Sequence, residues 1–63
     1  MKYSDVTVIV PTLNEEDNIL KLICMLEKLY PNISIIVSDD GSNDKTQEIV
    51  KQHSFKNRNI VLL

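Results

Sequence analysis

Ile33-Ser34-Ile35-Ile36-Val37-Ser38-Asp39-Asp40-Gly41-Ser42-Asn43-Asp44 is the stretch that decides the fold. Five residues, apolar except for Ser34, give way at once to seven that are polar or glycine. The first part suits a strand buried on both faces of a parallel sheet. The second suits a loop that opens a helix. Gly41 is the only glycine in the chain. A tight turn needing φ > 0 is the simplest reason for a glycine there. Ser42, Asn43 and Asp44 all have the chemistry of helix caps.

The same grammar occurs once upstream. Val6-Thr7-Val8-Ile9-Val10 reads as a strand of the same buried type. Pro11 is expected to end it, because proline cannot donate to a ladder. Asn14 then has the chemistry of an N-cap, with Asp17 three residues on as a capping-box variant. Glu15, Glu16 and Asp17 complement the helix dipole in the first turn. Ile19, Leu22, Ile23, Leu26, Leu29 and Tyr30 follow at helical spacing and make one apolar stripe. Pro31 and Asn32 stop that helix.

Downstream, a second helix is predicted over 45–53, with a thin stripe of Thr46, Ile49, Val50 and His53. Residues 54–59 make a polar connection from which Phe55 packs back. Ile60-Val61-Leu62-Leu63 begins a third strand. The order is strand, helix, strand, helix, strand, and crossovers of this kind are right-handed between parallel strands. The predicted fold class is α/β: a βαβαβ half of a three-layer, doubly wound sheet, Rossmann-like, with parallel strands ordered 3-2-1. Residues 1–63 are read as a single partial domain.

Composition bounds the function. The chain has 63 residues, 43% apolar, with a formal net charge of -2. A chain this short buries only roughly 60% of its unfolded surface, so its stability is marginal. Lysines and arginines are scattered among acids, with no basic stripe for nucleic acid. Cys24 is the only cysteine, which argues against a disulfide scaffold and reads as a small packing residue in the first helix. The amino terminus lacks the apolar core of a signal peptide, and no run is long enough to span a membrane. A cytoplasmic location is expected. The Asn32-Ile33-Ser34 sequon is read as accidental.

In open α/β sheets, ligands bind beyond the carboxyl ends of the strands. Those ends carry residues 11–15 and 38–44, on strands expected to be neighbours, so the two loops should face each other. Asp40 can accept a hydrogen bond from a base imide and Glu15 from ribose hydroxyls. The amides near the start of the second helix are expected to be free donors. Capping alone accounts for Asn14, Ser42 and Asp44. It does not account for both Asp39 and Asp40, since adjacent carboxylates repel and a cap needs only one. A single glycine excludes dinucleotide and Walker loops. The acids at 39–44 lack the alternation and terminal Glu of an EF-hand. His53 is read as an ordinary solvated or boundary histidine. One His and one Cys make no nucleophilic set.

Together, Val8-Ile9-Val10-Pro11-Thr12-Leu13-Asn14-Glu15 and Ile35-Ile36-Val37-Ser38-Asp39-Asp40-Gly41-Ser42-Asn43-Asp44-Lys45-Thr46 resemble the amino-terminal part of a family-2 glycosyltransferase of GT-A fold. The resemblance runs from Val6 to Leu63. It implies the donor-binding part of an enzyme that moves a sugar from a nucleotide diphosphate sugar, UDP- or GDP-linked, to a glycan, lipid or polysaccharide. It implies nucleotide-binding roles for Pro11, Leu13, Glu15, Asp39 and Asp40. Pro11 and Leu13 match residues lining the base pocket, although many relatives carry an aromatic residue where this chain has Leu13. Glu15 matches a ribose-holding residue, and Asp40 the carboxylate that reads the base. Asp39 also matches a residue that shapes the loop, as do Asn14, Gly41, Ser42 and Asp44.

The family's Mg²⁺- or Mn²⁺-binding motif and its catalytic base lie further along. The resemblance therefore implies no catalytic residue and no metal ligand in these 63 residues, and no activity for this segment alone. It allows membrane association, at the inner membrane face, only in a full-length parent. Two other readings compete. One is a receiver-like signalling domain with an acidic pocket, but there the acidic pair would follow the first strand. The other is a non-catalytic fragment that self-associates through the exposed edge of strand 1.

Overall fold

The computed structural model describes residues 5–63. The sequence reading of the first four residues lies outside them. Three strands, β1 (Thr7–Thr12), β2 (Ser34–Asp39) and β3 (Ile60–Leu62), alternate with two helices, α1 (Ile19–Leu29) and α2 (Thr46–Lys56). The sheet is parallel, in the order β1-β2-β3. The α/β class, the parallel pairing and the central place of β2 are as expected.

Alternation along the strands sets what is buried. Val8 pairs with Ile35 and Val10 with Val37, while Ile35 pairs with Ile60 and Val37 with Leu62. These residues share one face. Both helices cover it, Ile19, Ile23 and Leu26 from α1 and Ile49 and Val50 from α2 joining one core. Two right-handed crossovers in the same direction along a sheet place both helices on one side. The described residues thus supply two of the three layers of a doubly wound domain. The other face carries the register row Ile9, Ile36 and Val61. Ile9 is 66% exposed and Val61 49%. Strand residues expected to be buried on both faces are here covered on one.

Several local expectations are corrected. Pro11 does not end β1, which continues through Thr12. The Ser34 and Asp40 N–H groups donate to the carbonyls of Val6 and Thr12. Even-numbered residues of β1 therefore bond β2, and the missing N–H of Pro11 falls on the open edge, where proline is tolerated. Asn14 does not cap α1. The helix begins at Ile19, no side chain caps it, and its first turn holds no acid. Glu15, Glu16 and Asp17 instead occupy a preceding turn closed by the Asn18 and Ile19 N–H groups on the Glu15 carbonyl.

Helix α2 runs to Lys56, past the predicted end, and is closed by the Asn57 N–H on the His53 carbonyl. This carries Phe55 onto the outer side of the helix, 86% exposed, so it does not pack back. Cys24 is exposed as well. It lies next to the buried Ile23 and off the stripe. Among the described residues, no helix is long and apolar enough to cross a membrane.

Candidate functional site at the carboxyl ends of the strands

The β1–α1 and β2–α2 loops face each other and are bonded together. Three successive backbone N–H groups of the first loop donate to side chains of the second. That of Asn14 reaches Ser42 Oγ at 2.8 Å, that of Glu15 reaches Thr46 Oγ1 at 2.8 Å, and that of Glu16 reaches Asp44 Oδ2 at 3.1 Å. The Asn43 N–H returns to Asn14 Oδ1 at 2.8 Å. Asn14 makes this exchange at φ +53°, a left-handed conformation that asparagine tolerates better than most residues. Its amide therefore joins two loops rather than capping a helix.

Asp39 is the hub of the second loop. Alternation puts it on the covered face with Ile35 and Val37. Its Oδ1 accepts from Thr12 Oγ1 at 2.7 Å and Ser42 Oγ at 2.6 Å. Its Oδ2 accepts from the Gly41 N–H at 3.1 Å, the Ser42 N–H at 2.8 Å and Gln47 Nε2 at 2.7 Å. The Ser42 hydroxyl and amide, then Thr12 and Gln47, favour the ionised form. They outweigh burial and hold the carboxyl well below the ordinary range. Gly41 sits at φ +82°, with open space where a Cβ would be, so its requirement is conformational.

Asp44 closes the start of α2, its Oδ1 accepting the Thr46 N–H at 2.9 Å and the Thr46 hydroxyl. Burial works against its ionisation. The bonds from Thr46 and the Glu16 N–H prevail and keep its carboxyl below the usual value. Thr46 is fully buried. It donates to Asp44 and accepts from Glu15, bridging the loops.

These bonds correct part of one expectation. The amides of Gly41, Ser42, Asn43 and Thr46 are not free donors, because protein oxygens take all four. Asp40 differs from its neighbour: it is exposed, and no donor among the described residues meets its carboxylate. Only its backbone is fixed, the N–H donating to the Thr12 carbonyl at 2.9 Å. Leu13 and Glu15 are exposed on the first loop, and Pro11 is exposed near the end of β1. A cavity of about 260 Å³ lies beside them, lined by Val10, Pro11, Thr12 and Glu15 and by Ile19 and Leu22 of α1. Of the predicted residues it takes in Pro11 and Glu15, while Leu13, Asp39 and Asp40 lie outside it.

Sequence reading missed Thr12, Thr46 and Gln47. The alternation Val8, Val10, Thr12 marks Thr12 as inward-facing and was the available signal. It also missed the partners of His53, whose Nε2 lies 3.1 Å from Glu27 Oε1, while Asn57 Nδ2 donates to the other oxygen of Glu27. Among the described residues, no three His, Cys, Asp or Glu side chains converge on a cation position. Asp39 and Asp44 are turned onto protein donors. These residues do not fit Mg²⁺ or Mn²⁺, and no step through such an ion is assigned to them.

In an open parallel α/β sheet, two loops facing each other beyond the carboxyl ends of adjacent strands lie where ligands bind. The sequence profile described as Glycosyl transferase family 2 matches residues 7–63, and the chain belongs to that family. It is 48% identical over 48 residues to an uncharacterised protein of Methanocaldococcus jannaschii, covering 76% of this chain and 20% of that protein. It is 38% identical over 55 residues to the 4,4'-diaponeurosporenoate glycosyltransferase of Staphylococcus haemolyticus, covering 87% and 15%. It is 38% identical over 61 residues to glycosyltransferase AglE of Haloferax volcanii, covering 92% and 20%. The chain thus spans a fifth or less of the length of these relatives. No solved structure matches it.

Proposed function

We propose that this chain is the donor-nucleotide-binding part of a glycosyltransferase that moves a sugar from a nucleotide diphosphate sugar to a glycan, lipid or polysaccharide. The observation that carries the reading is Asp40, a carboxylate that no donor among the described residues meets, held by its backbone at the carboxyl end of the central strand. Asp40 accepts the imide N–H of the base. Glu15 accepts from the ribose, and Pro11 and Leu13 form the apolar side of the base pocket. Asn14, Gly41, Ser42 and Asp44 keep the two loops in register. The donor is UDP- or GDP-linked. In the whole protein, Mg²⁺ or Mn²⁺ is ligated by residues outside these 63, and the chain alone does not transfer sugar. Family membership and the joined loops support this reading.

By itself the chain also associates with copies of itself. The supporting features are the outer edge of β1, which has no partner strand among the described residues, and the exposed apolar row beside it. A concentration-independent monomer in sedimentation velocity would overturn that part.

An amide ¹⁵N–¹H spectrum titrated with UDP and then GDP tests the main reading. Shifts confined to residues 11–15 and 38–44 are expected. A dispersed spectrum that neither nucleotide perturbs would overturn nucleotide binding by this chain. Asp40→Asn should weaken binding by about 1–3 kcal/mol, the usual cost of losing a buried hydrogen bond to a charged acceptor.

A further inference from the structure

The acidic pair has two members in opposite circumstances. A carboxylate offers about four lone-pair positions. Asp39 receives donors from Thr12, Gly41, Gln47 and, twice, Ser42. It has no position left for a ligand. Asp40 is exposed, and no donor among the described residues reaches either of its oxygens.

The two peptide groups that flank the Asp40 Cα are both held. Its own N–H is on the Thr12 carbonyl at 2.9 Å, and the following N–H, that of Gly41, is on Asp39 Oδ2 at 3.1 Å. Fixing both peptide planes fixes the direction of the Cα–Cβ bond between them. Both restraints lead back to Thr12. Its carbonyl holds Asp40 directly, and its hydroxyl holds Asp39 at 2.7 Å. Thr12 is almost fully buried at the end of β1, and Gln47 grips Asp39 from α2.

We propose that Asp39 is a positioning residue of this site and not a ligand of it, and that it and Thr12 together aim the Asp40 carboxylate at the nucleotide. The inference rests on the nucleotide reading of Asp40 and adds how that residue is presented. One residue of β1 thereby controls both members of an acidic pair at the carboxyl end of β2, from the neighbouring strand. A negative charge next to Asp40 is tolerated because Asp39 is spread over protein donors and needs no cation.

The test uses Thr12→Val, which removes the hydroxyl while keeping volume and backbone, and Thr12→Ser, which restores it. Two readouts are taken on the full chain: UDP affinity by amide titration, and hydrogen exchange of the Asp40 and Gly41 amides without ligand. Thr12→Val should weaken UDP binding about tenfold, the scale of one hydrogen bond to a charged group. Thr12→Ser should return it to within about threefold of the parent. With Asp40→Asn already present, Thr12→Val should cause no further loss, because the restraint then has nothing to aim. A purely structural threonine predicts an undiminished loss there, and that result would overturn the proposal. So would parent-like affinity in Thr12→Val.

The exchange arm separates this inference from the nucleotide reading. If UDP fails to bind the parent chain, the nucleotide reading falls. Slow exchange at Asp40 and Gly41 that Thr12→Val releases would still sustain the clamp. Fast exchange in the parent would overturn the clamp as well.

Discussion

The two faces of the same three strands are treated differently. On one, Val8, Val10, Ile35, Val37, Ile60 and Leu62 meet two helices and form the core. On the other, Ile9, Ile36 and Val61 form a row that no described element covers. The side chains on both faces are alike in kind, so composition does not distinguish them. Position does. The difference teaches that alternation, carried to the last residues of the strands, also sorts the polar residues. Thr12 and Asp39 continue the covered face and become bonded anchors. Asp40 falls out of that series and stays open.

The largest effect expected from this contrast is in the core. Ile35→Ala, at a position with no exposure, should cost about 2–5 kcal/mol. In a chain of marginal stability that abolishes cooperative unfolding in urea at 25 °C. Ile9→Ala, one strand over and on the other face, should change the stability of the chain, diluted until it is monomeric, by about 0.5 kcal/mol or less. If Ile9→Ala costs as much as Ile35→Ala, something covers the bare face in solution. A dependence of the urea midpoint on protein concentration would identify a second copy as that cover.

At the site the expected effects are smaller. Thr46→Val removes a buried hydroxyl that donates to Asp44 and accepts from the Glu15 N–H. It should cost about 1–3 kcal/mol, the range for leaving a buried polar group unpaired. Thermal unfolding followed by circular dichroism measures it. Acid sharpens the same point. The carboxyls of Asp39 and Asp44 lie lower in the folded chain than their ordinary value of 3.8. Groups depressed in this way add stability that is complete above that value and is lost as pH falls towards the folded values. Urea midpoints should therefore be level above about pH 5 and decline below pH 4. Thr12→Val should flatten the decline. A parent whose stability does not fall between pH 4 and pH 2 would remove the carboxylate hub.

The class, the strand order and both loops were legible in the sequence, because β-branched runs, one glycine and two breaks in polarity mark them without any tertiary information. Gly41 was read correctly for its positive φ. What was not legible depended on partners far along the chain. Asn14 looks like a cap by its chemistry. Only the position of Asn43, 29 residues on, makes it a bridge between loops. Pro11 looks like a strand end until β1 is known to pair on one side only. Phe55 was placed wrongly because the helix was ended too early; Asn57, which closes it, also carries a side-chain bond to Glu27 of α1 that local sequence does not announce. Asp39 and Asp40 were singled out together, both as nucleotide-binding residues. The donors that set Asp39 apart come from Thr12, which strand alternation could have marked as inward-facing, and from Gln47, which no local pattern announces.

The narrowest effect concerns the turn between Asp39 and the start of α2. Gly41 holds φ +82°, and a Cβ there would touch nothing within 4 Å. Gly41→Ala should therefore cost only the intrinsic penalty of a left-handed residue, about 1–2 kcal/mol, with no steric addition. Gly41→Asn should recover part of that, since asparagine visits this region more readily than alanine. The two substitutions sharpen the contrast between anchored and open residues in a way that larger changes cannot. Because the Gly41 N–H is the second restraint on Asp40, a turn that relaxes in Gly41→Ala should loosen the Asp40 amide in hydrogen exchange while leaving the Ile35 and Val37 amides protected. Equal protection loss in all three would mean that the turn and the core open as one unit.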